Sequence, residues 1–416
     1  MDVWKKLLPE IENMPVVDTH EHLMPECTRL SNNEDFFTAT MTHYASSDLI
    51  SSGMSASDME FLRDTKNDFS QKISKFLPYW NKTKNTGYCR ALEIAACDLY
   101  GYGELTEETL PLINENLKKV NSVGLYKNIL EDRSRIKFCV WDQWYYDNPP
   151  PDAFFKPALR LDDAVYIKSK ADIDALGAKY NKDITSPDVL QEIMEISITN
   201  NKPGGLIALK TGLAYDRTLH YERVTANEAA IALERIQLNR FTDKETKRLQ
   251  DYMMYCVAQK AYWHGLPLQI HTGLQEGNGN FIRRSNPALL AELIINNPNT
   301  RFDLFHGGYP YGGELASLAK NFPNVYLDMC WLRIISASYS IRYLNEWLDT
   351  VPANKIFGFG GDFIFVEGTY GHLIIARENI AKALGARVED GIINEPDALR
   401  LAKMLLHDNP AELFAQ

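Results

Sequence analysis

Val16-Val17-Asp18-Thr19-His20-Glu21-His22 is the stretch on which the fold turns. Met14 to Val17 reads as a short buried strand, ending in a polar tip that carries two histidines in His-x-His spacing. Residues i and i+2 of a strand point to the same face, so two imidazoles there can grip one metal ion. The same pattern recurs downstream. Leu266–Ile270 runs into His271-Thr272-Gly273, Arg301–Phe305 into His306-Gly307-Gly308, and Lys355–Phe359 into Gly360-Gly361-Asp362. Polar groups gathered at the carboxyl ends of successive parallel strands are how a (β/α)8 barrel builds its site. A lone His-x-His is as readily a solvated or core pair, but its repetition strand after strand predicts a TIM barrel. Its histidines and its aspartate suit a mononuclear metal site plus an acid/base group.

The remaining strands follow in order. Ile136–Trp141 ends at Asp142, Phe155–Leu161 ends near Arg160, Gly205–Leu209 ends at Lys210, and Val325–Met329 is the seventh. Alternation with helical stretches supports a parallel sheet. Residues 30–128 lack strand patterning and are read as a helical insertion between strands one and two that covers the barrel mouth. Asp48-Leu-Ile50 and Ser57–Leu62 look like helix starts. The aromatics Phe76, Tyr79, Trp80, Tyr88 and Tyr100 fit helix-on-barrel packing, or a lid with substrate contacts in which Arg90 is the first candidate. The last helices are expected near Ile374–Leu384 and Pro396–His407. Residues 1–416 are read as one domain.

Composition sets the bounds. The chain has 416 residues, 45% hydrophobic and 24% charged, which suits a barrel with an insertion. A net charge of −11 argues against nucleic acid or an anionic membrane as partner and leaves a small-molecule substrate. It leaves homo-oligomerisation open. Six cysteines without a CxxC pair fit free thiols and a reducing compartment. There is no signal-peptide core near the N-terminus and no apolar run of about 18 residues, so a cytoplasmic protein is expected.

The order His-x-His, His, His, Asp resembles the amidohydrolase superfamily. Gln269-Ile-His-Thr-Gly273, Ser285-Asn-Pro287, Phe305-His-Gly-Gly-Tyr-Pro310 and Phe322-Pro-Asn-Val-Tyr-Leu-Asp328 resemble the amidohydrolase domains fused ahead of glutamine synthetase-like domains, the nodulin/FluG-like group. That group belongs with the amidohydrolase-2 branch, which also holds decarboxylases and lactonases, and is more distantly similar to uronate isomerases. The resemblance covers about residues 14–30 and 130–416 and is specific around 266–330.

Each residue then has an expected role. His20, His22 and His271 supply imidazoles and Asp362 a carboxylate to one divalent metal, zinc first, with Mn, Fe or Co also suited. Asp362 and His306 are the catalytic pair. The resemblance implies that Asp362 both binds metal and shuttles a proton, and that His306 binds a second metal in two-metal relatives; one ion is favoured here. Lys210 sits where some relatives carry a carbamylated lysine, and is read instead as a charged, substrate-facing residue. Arg217, Arg160 and Arg90 could bind a substrate carboxylate, while Tyr309 and Trp331 could wall the pocket. Asp18 either pairs with backbone or supports a ligand histidine; Glu21 points away. His43, His220, His264, His372 and His407 are taken as ordinary. The leading expectation is a hydrolase in which a metal-activated water attacks an amide or lactone bond of a small polar, carboxylate-bearing substrate. A decarboxylase or uronate-type isomerase, or a non-catalytic regulatory barrel that binds metal, are the alternatives.

Overall fold

A computed structural model describes residues 2–32, 34–142 and 153–415. Eight strands form one sheet in the order β1 to β8: β1 (Val16–Glu21), β2 (Ile136–Asp142), β3 (Phe155–Arg160), β4 (Ala208–Thr211), β5 (Leu268–Ile270), β6 (Phe302–Leu304), β7 (Val325–Asp328) and β8 (Ile356–Phe357). Neighbours pair in parallel, as β1 with β2 and β3 through β7 in succession. Beyond β8 the chain returns to β1, where Thr19 N–H donates to Phe359 O at 3.2 Å and Asp362 N–H to His20 O at 2.8 Å. First and last strands thus lie side by side, and the fold is the expected (β/α)8 barrel.

Helix α1 (Val3–Glu12) precedes β1. Between β1 and β2 lies the expected helical insertion, comprising α2 (Glu26–Ser31), α3 (Phe36–Thr40), α4 (His43–Ser51), α5 (Ala56–Arg63), α6 (Phe69–Thr83), α7 (Gly87–Tyr100) and α8 (Thr109–Val120). Side chains cap the starts of four of them: Asp35 accepts from Thr38 N, Ser55 from Asp58 N, Asp68 from Gln71 N and Thr86 from Cys89 N. Asp48 corrects one expectation, since it lies inside α4 rather than at a start. The aromatic stripe does pack: Phe76, Trp80, Tyr88 and Tyr100 are buried, with Phe76 stacked on Trp80 and edge-on to Phe37.

The chain divides into two compact units. The first comprises Met1–Trp141, Glu276–Asn280 and Asp328–Ala411; the second comprises Asp142–Gln275, Phe281–Leu327 and Glu412–Gln416. In the first unit every residue of β1 is buried, and a bidentate pair from Arg29 to Glu367 at 2.7 and 2.5 Å ties α2 to the helix Val366–Glu389. In the second unit, Gly273 shows why the β5 tip needs glycine: its φ is +72°, and a Cβ would meet Tyr309 O at 2.4 Å. No disulfide links the six cysteines. Among the described residues no helix is long and apolar enough to cross a membrane.

Candidate metal centre and charge clusters

β1 runs further than its apolar start suggests. It continues through Glu21, so His20 lies in the strand and His22 immediately follows it. The two rings meet edge to face with centroids 4.6 Å apart, and their Nε2 atoms are 3.1 Å apart. Asp362 Oδ1 lies 3.3 Å from His20 Nε2 and 3.4 Å from His22 Nε2. All three side chains are buried. Two imidazole nitrogens and one carboxylate oxygen this close form a donor set suited to a divalent metal. Asp362 reaches it from a left-handed backbone, φ +59°.

Behind this set sit Asp18 and Glu21, both fully buried. Asp18 Oδ1 accepts from Gly361 N–H at 2.9 Å and His20 N–H at 3.2 Å. Glu21 accepts from Phe363 N–H at 2.8 Å and the Thr369 hydroxyl at 2.7 Å. Burial pushes the Asp18 carboxyl up to about 7, against hydrogen bonds from Glu21, Gly361 and His20. Burial, and then the charge of Asp18, raises Glu21 well above the usual carboxylate range.

The insertion brings an aromatic wall to the same unit. Tyr44 stacks on Trp331 with centroids 4.4 Å apart, His43 meets Trp331 edge-on at 5.4 Å, and Tyr88 packs on Phe363 at 5.1 Å. His43 departs from the expectation of an ordinary residue. It is buried, its Nδ1 has no hydrogen-bond partner, and its φ is +48°, uncommon for a residue with a Cβ. Burial lowers its pKa, opposed by the charge of Asp362. The signal in the sequence was only its neighbour Tyr44, inside a segment without patterning. His372, by contrast, is enclosed with Phe359 and Phe363 as ring neighbours at 5.0 and 6.0 Å. Burial and the nearby Arg333 push it down to about 3, which keeps it neutral.

The second unit carries two further clusters. Asp142 Oδ2 receives Arg160 Nε at 2.7 Å and lies 3.3 Å from Lys210 Nζ. Lys210 is inside β4 rather than after it, is fully buried, and lies 4.8 Å over the Phe305 ring. Asp162 accepts from Gly212 N–H at 2.8 Å, and burial lifts its carboxyl to about 6 against the pull of Arg160. In the other cluster, His271 Nδ1 is 3.2 Å from His306 Nε2 and 3.1 Å from Gln275 Oε1. Tyr215 and Phe305 flank the His271 ring at 5.4 and 5.7 Å. His306 is fully buried with φ +65°. Tyr309 contributes its backbone, its carbonyl accepting from Leu274 N–H at 2.7 Å.

Two expected anion binders are committed elsewhere. Arg217 pairs with Asp251 at 2.5 Å, donates to Gln250 at 3.1 Å and covers the Tyr221 ring at 4.3 Å. Arg90 is exposed and pairs with Glu378 at 2.8 Å. Within the second unit the structure groups Arg160 with Lys210 and holds Arg217 in a separate ion pair.

An amidohydrolase family model matches residues 217–416. Over 194 residues the chain is 30% identical to the protein fluG of Emericella nidulans, a match covering 46% of this chain and 22% of that protein. It is 22% identical over 287 residues to a uronate isomerase of Nostoc punctiforme, covering 61% of this chain and 57% of that one. The chain thus spans about a fifth of the first relative and a little over half of the second. Among solved structures, a uronate isomerase from Thermotoga maritima superposes with a TM-score of 0.80 at 17% identity, covering 99% of this chain and 97% of that one. A protein from Lactobacillus casei described as a metal-dependent hydrolase superposes with a TM-score of 0.69 at 20% identity, covering 98% and 97%. The barrel, its histidine-bearing strand ends and these matches agree: the chain is similar to the amidohydrolase family over residues 217–416, with a more distant likeness to uronate isomerases.

Proposed function

We propose that this protein is a metal-dependent enzyme, a hydrolase acting on an amide or lactone bond of a small polar, carboxylate-bearing substrate. The observation that carries this reading is the buried set of His20 Nε2, His22 Nε2 and Asp362 Oδ1, mutually within 3.4 Å. These residues would hold one divalent ion, zinc first, and the sequence pattern adds His271 as a further ligand. Such an ion supplies positive charge that polarises a substrate oxygen and lowers the pKa of water. The Asp362 carboxylate accepts and returns a proton. His306 serves the substrate as acid or base. The His43, Tyr44 and Trp331 wall excludes water and contacts the substrate, and Arg160 with Lys210 offers charge to its carboxylate. We place the enzyme in the cytoplasm, with no nucleic-acid or membrane partner.

The second reading, isomerisation of a uronate, draws on the uronate isomerase among the sequence relatives. A metal-replete screen of amides, lactones and uronates in ¹⁸O-water, read by mass spectrometry, separates the two. Hydrolysis puts solvent oxygen in the product. An unchanged product mass replaces the hydrolase with the isomerase, and released CO2 replaces it with a decarboxylase. No turnover of any class by zinc-loaded protein would leave a regulatory barrel.

Lys210 is read as an uncarbamylated ammonium. Its support is the ion pair to Asp142 and the stacking over Phe305, both of which favour the positive form. Stripping CO2 and bicarbonate from the buffer should leave metal content and turnover unchanged. A loss of both, restored by bicarbonate, would establish the carbamate and a two-metal site.

A further inference from the structure

We infer that Asp18 and Glu21 are positioning residues that hold Asp362 in its ligand geometry; this rests on the metal reading above. The turn that carries Asp362 has three successive amides, and β1 supplies an acceptor to each. Gly361 N–H donates to Asp18 Oδ1 at 2.9 Å, Asp362 N–H to His20 O at 2.8 Å, and Phe363 N–H to Glu21 Oε2 at 2.8 Å. The two carboxyl groups thus grip the residues on either side of Asp362, and the backbone of a ligand histidine grips Asp362 itself.

Three features show that this arrangement is built to hold a strained element. Asp362 has φ +59°, a conformation that L-residues keep only where the surroundings over-determine it. Gly361 leaves the room: a Cβ there would lie 1.7 Å from Glu21 Oε1 and 3.2 Å from Asp18 Oδ2. Glu21 is itself anchored by the Thr369 hydroxyl at 2.7 Å. Asp18 Oδ1 also accepts from His20 N–H at 3.2 Å, so one oxygen links both ligand-bearing segments. Without these acceptors, buried amides would be left unpaired. The turn would relax toward an ordinary backbone, and the Asp362 carboxylate would leave its place beside His20 and His22.

The test is zinc affinity of the metal-stripped full-length protein, measured by competition with a chelator well below the unfolding temperature of each variant. Asp18→Ala and Glu21→Ala should each weaken zinc binding by roughly 10–100-fold, the effect usual for groups that orient metal ligands. Asp18→Asn and Glu21→Gln keep an acceptor oxygen and should restore affinity to within about threefold of wild type. A merely structural role would lower the apo unfolding temperature and leave zinc affinity alone, and that outcome overturns the inference. If an alanine variant does not fold, Thr369→Val decides. It removes one hydroxyl bond to Glu21, and should weaken binding by about two- to fivefold; unchanged binding overturns the inference. Wild type and His20→Ala binding zinc equally well would remove the metal reading itself. Wild type binding zinc while His20→Ala does not, with both alanine variants at wild-type affinity, overturns only the positioning role.

Discussion

Asp362→Asn should lower turnover by roughly 10³–10⁴-fold and leave the purified protein short of metal. The substitution is nearly isosteric, and asparagine tolerates the left-handed backbone that Asp362 adopts at φ +59°. The turn should therefore survive, and the loss is chemical. Asp362 Oδ1 is the only anionic atom among the three that gather within 3.4 Å. An amide oxygen in its place is a weaker ligand and cannot take up a proton. Metal analysis and turnover on one preparation measure both effects. A folded variant with full metal and full turnover would remove Asp362 from both roles.

His306→Asn should keep its metal and still lose turnover, by about 10²–10⁴-fold if the imidazole acts as acid or base. Asparagine again suits the backbone, since His306 sits at φ +65°. The metal is expected to stay because His20, His22 and Asp362 form their set without His306. His306 is fully buried in the second unit, and its Nε2 faces His271 Nδ1 at 3.2 Å. A variant stripped of metal would make His306 a ligand and favour two ions. Full metal with full turnover would return it to the ordinary buried histidines.

Much of this protein was legible in its sequence. Apolar runs that end in histidine or aspartate marked β1, β5, β6 and β8, because strand burial and polar strand ends leave a simple pattern in the chain. His-x-His spacing alone put His20 and His22 on one face, since strand periodicity is two, and the Nε2 atoms do lie 3.1 Å apart. What local pattern could not carry was whatever depends on distant partners. The helix Val366–Glu389 begins well before its expected start at Ile374 and takes in Gly368 and Gly371. Tertiary packing requires them: a Cβ at Gly371 would lie 1.9 Å from Ala91 O, and one at Gly368 the same distance from the Phe363 ring. Lys210 read as a residue after a strand and is buried within one, because Asp142 satisfies its charge from another part of the chain. His43 had no periodicity around it to mark it; its partner Trp331 lies far along the chain. The sequence determined the barrel, the insertion and the residue types at the strand ends. The tertiary structure alone decided which polar groups meet, because a pair such as the Asp18 carboxylate and the Gly361 amide, 343 residues apart, exists only once the strands have closed.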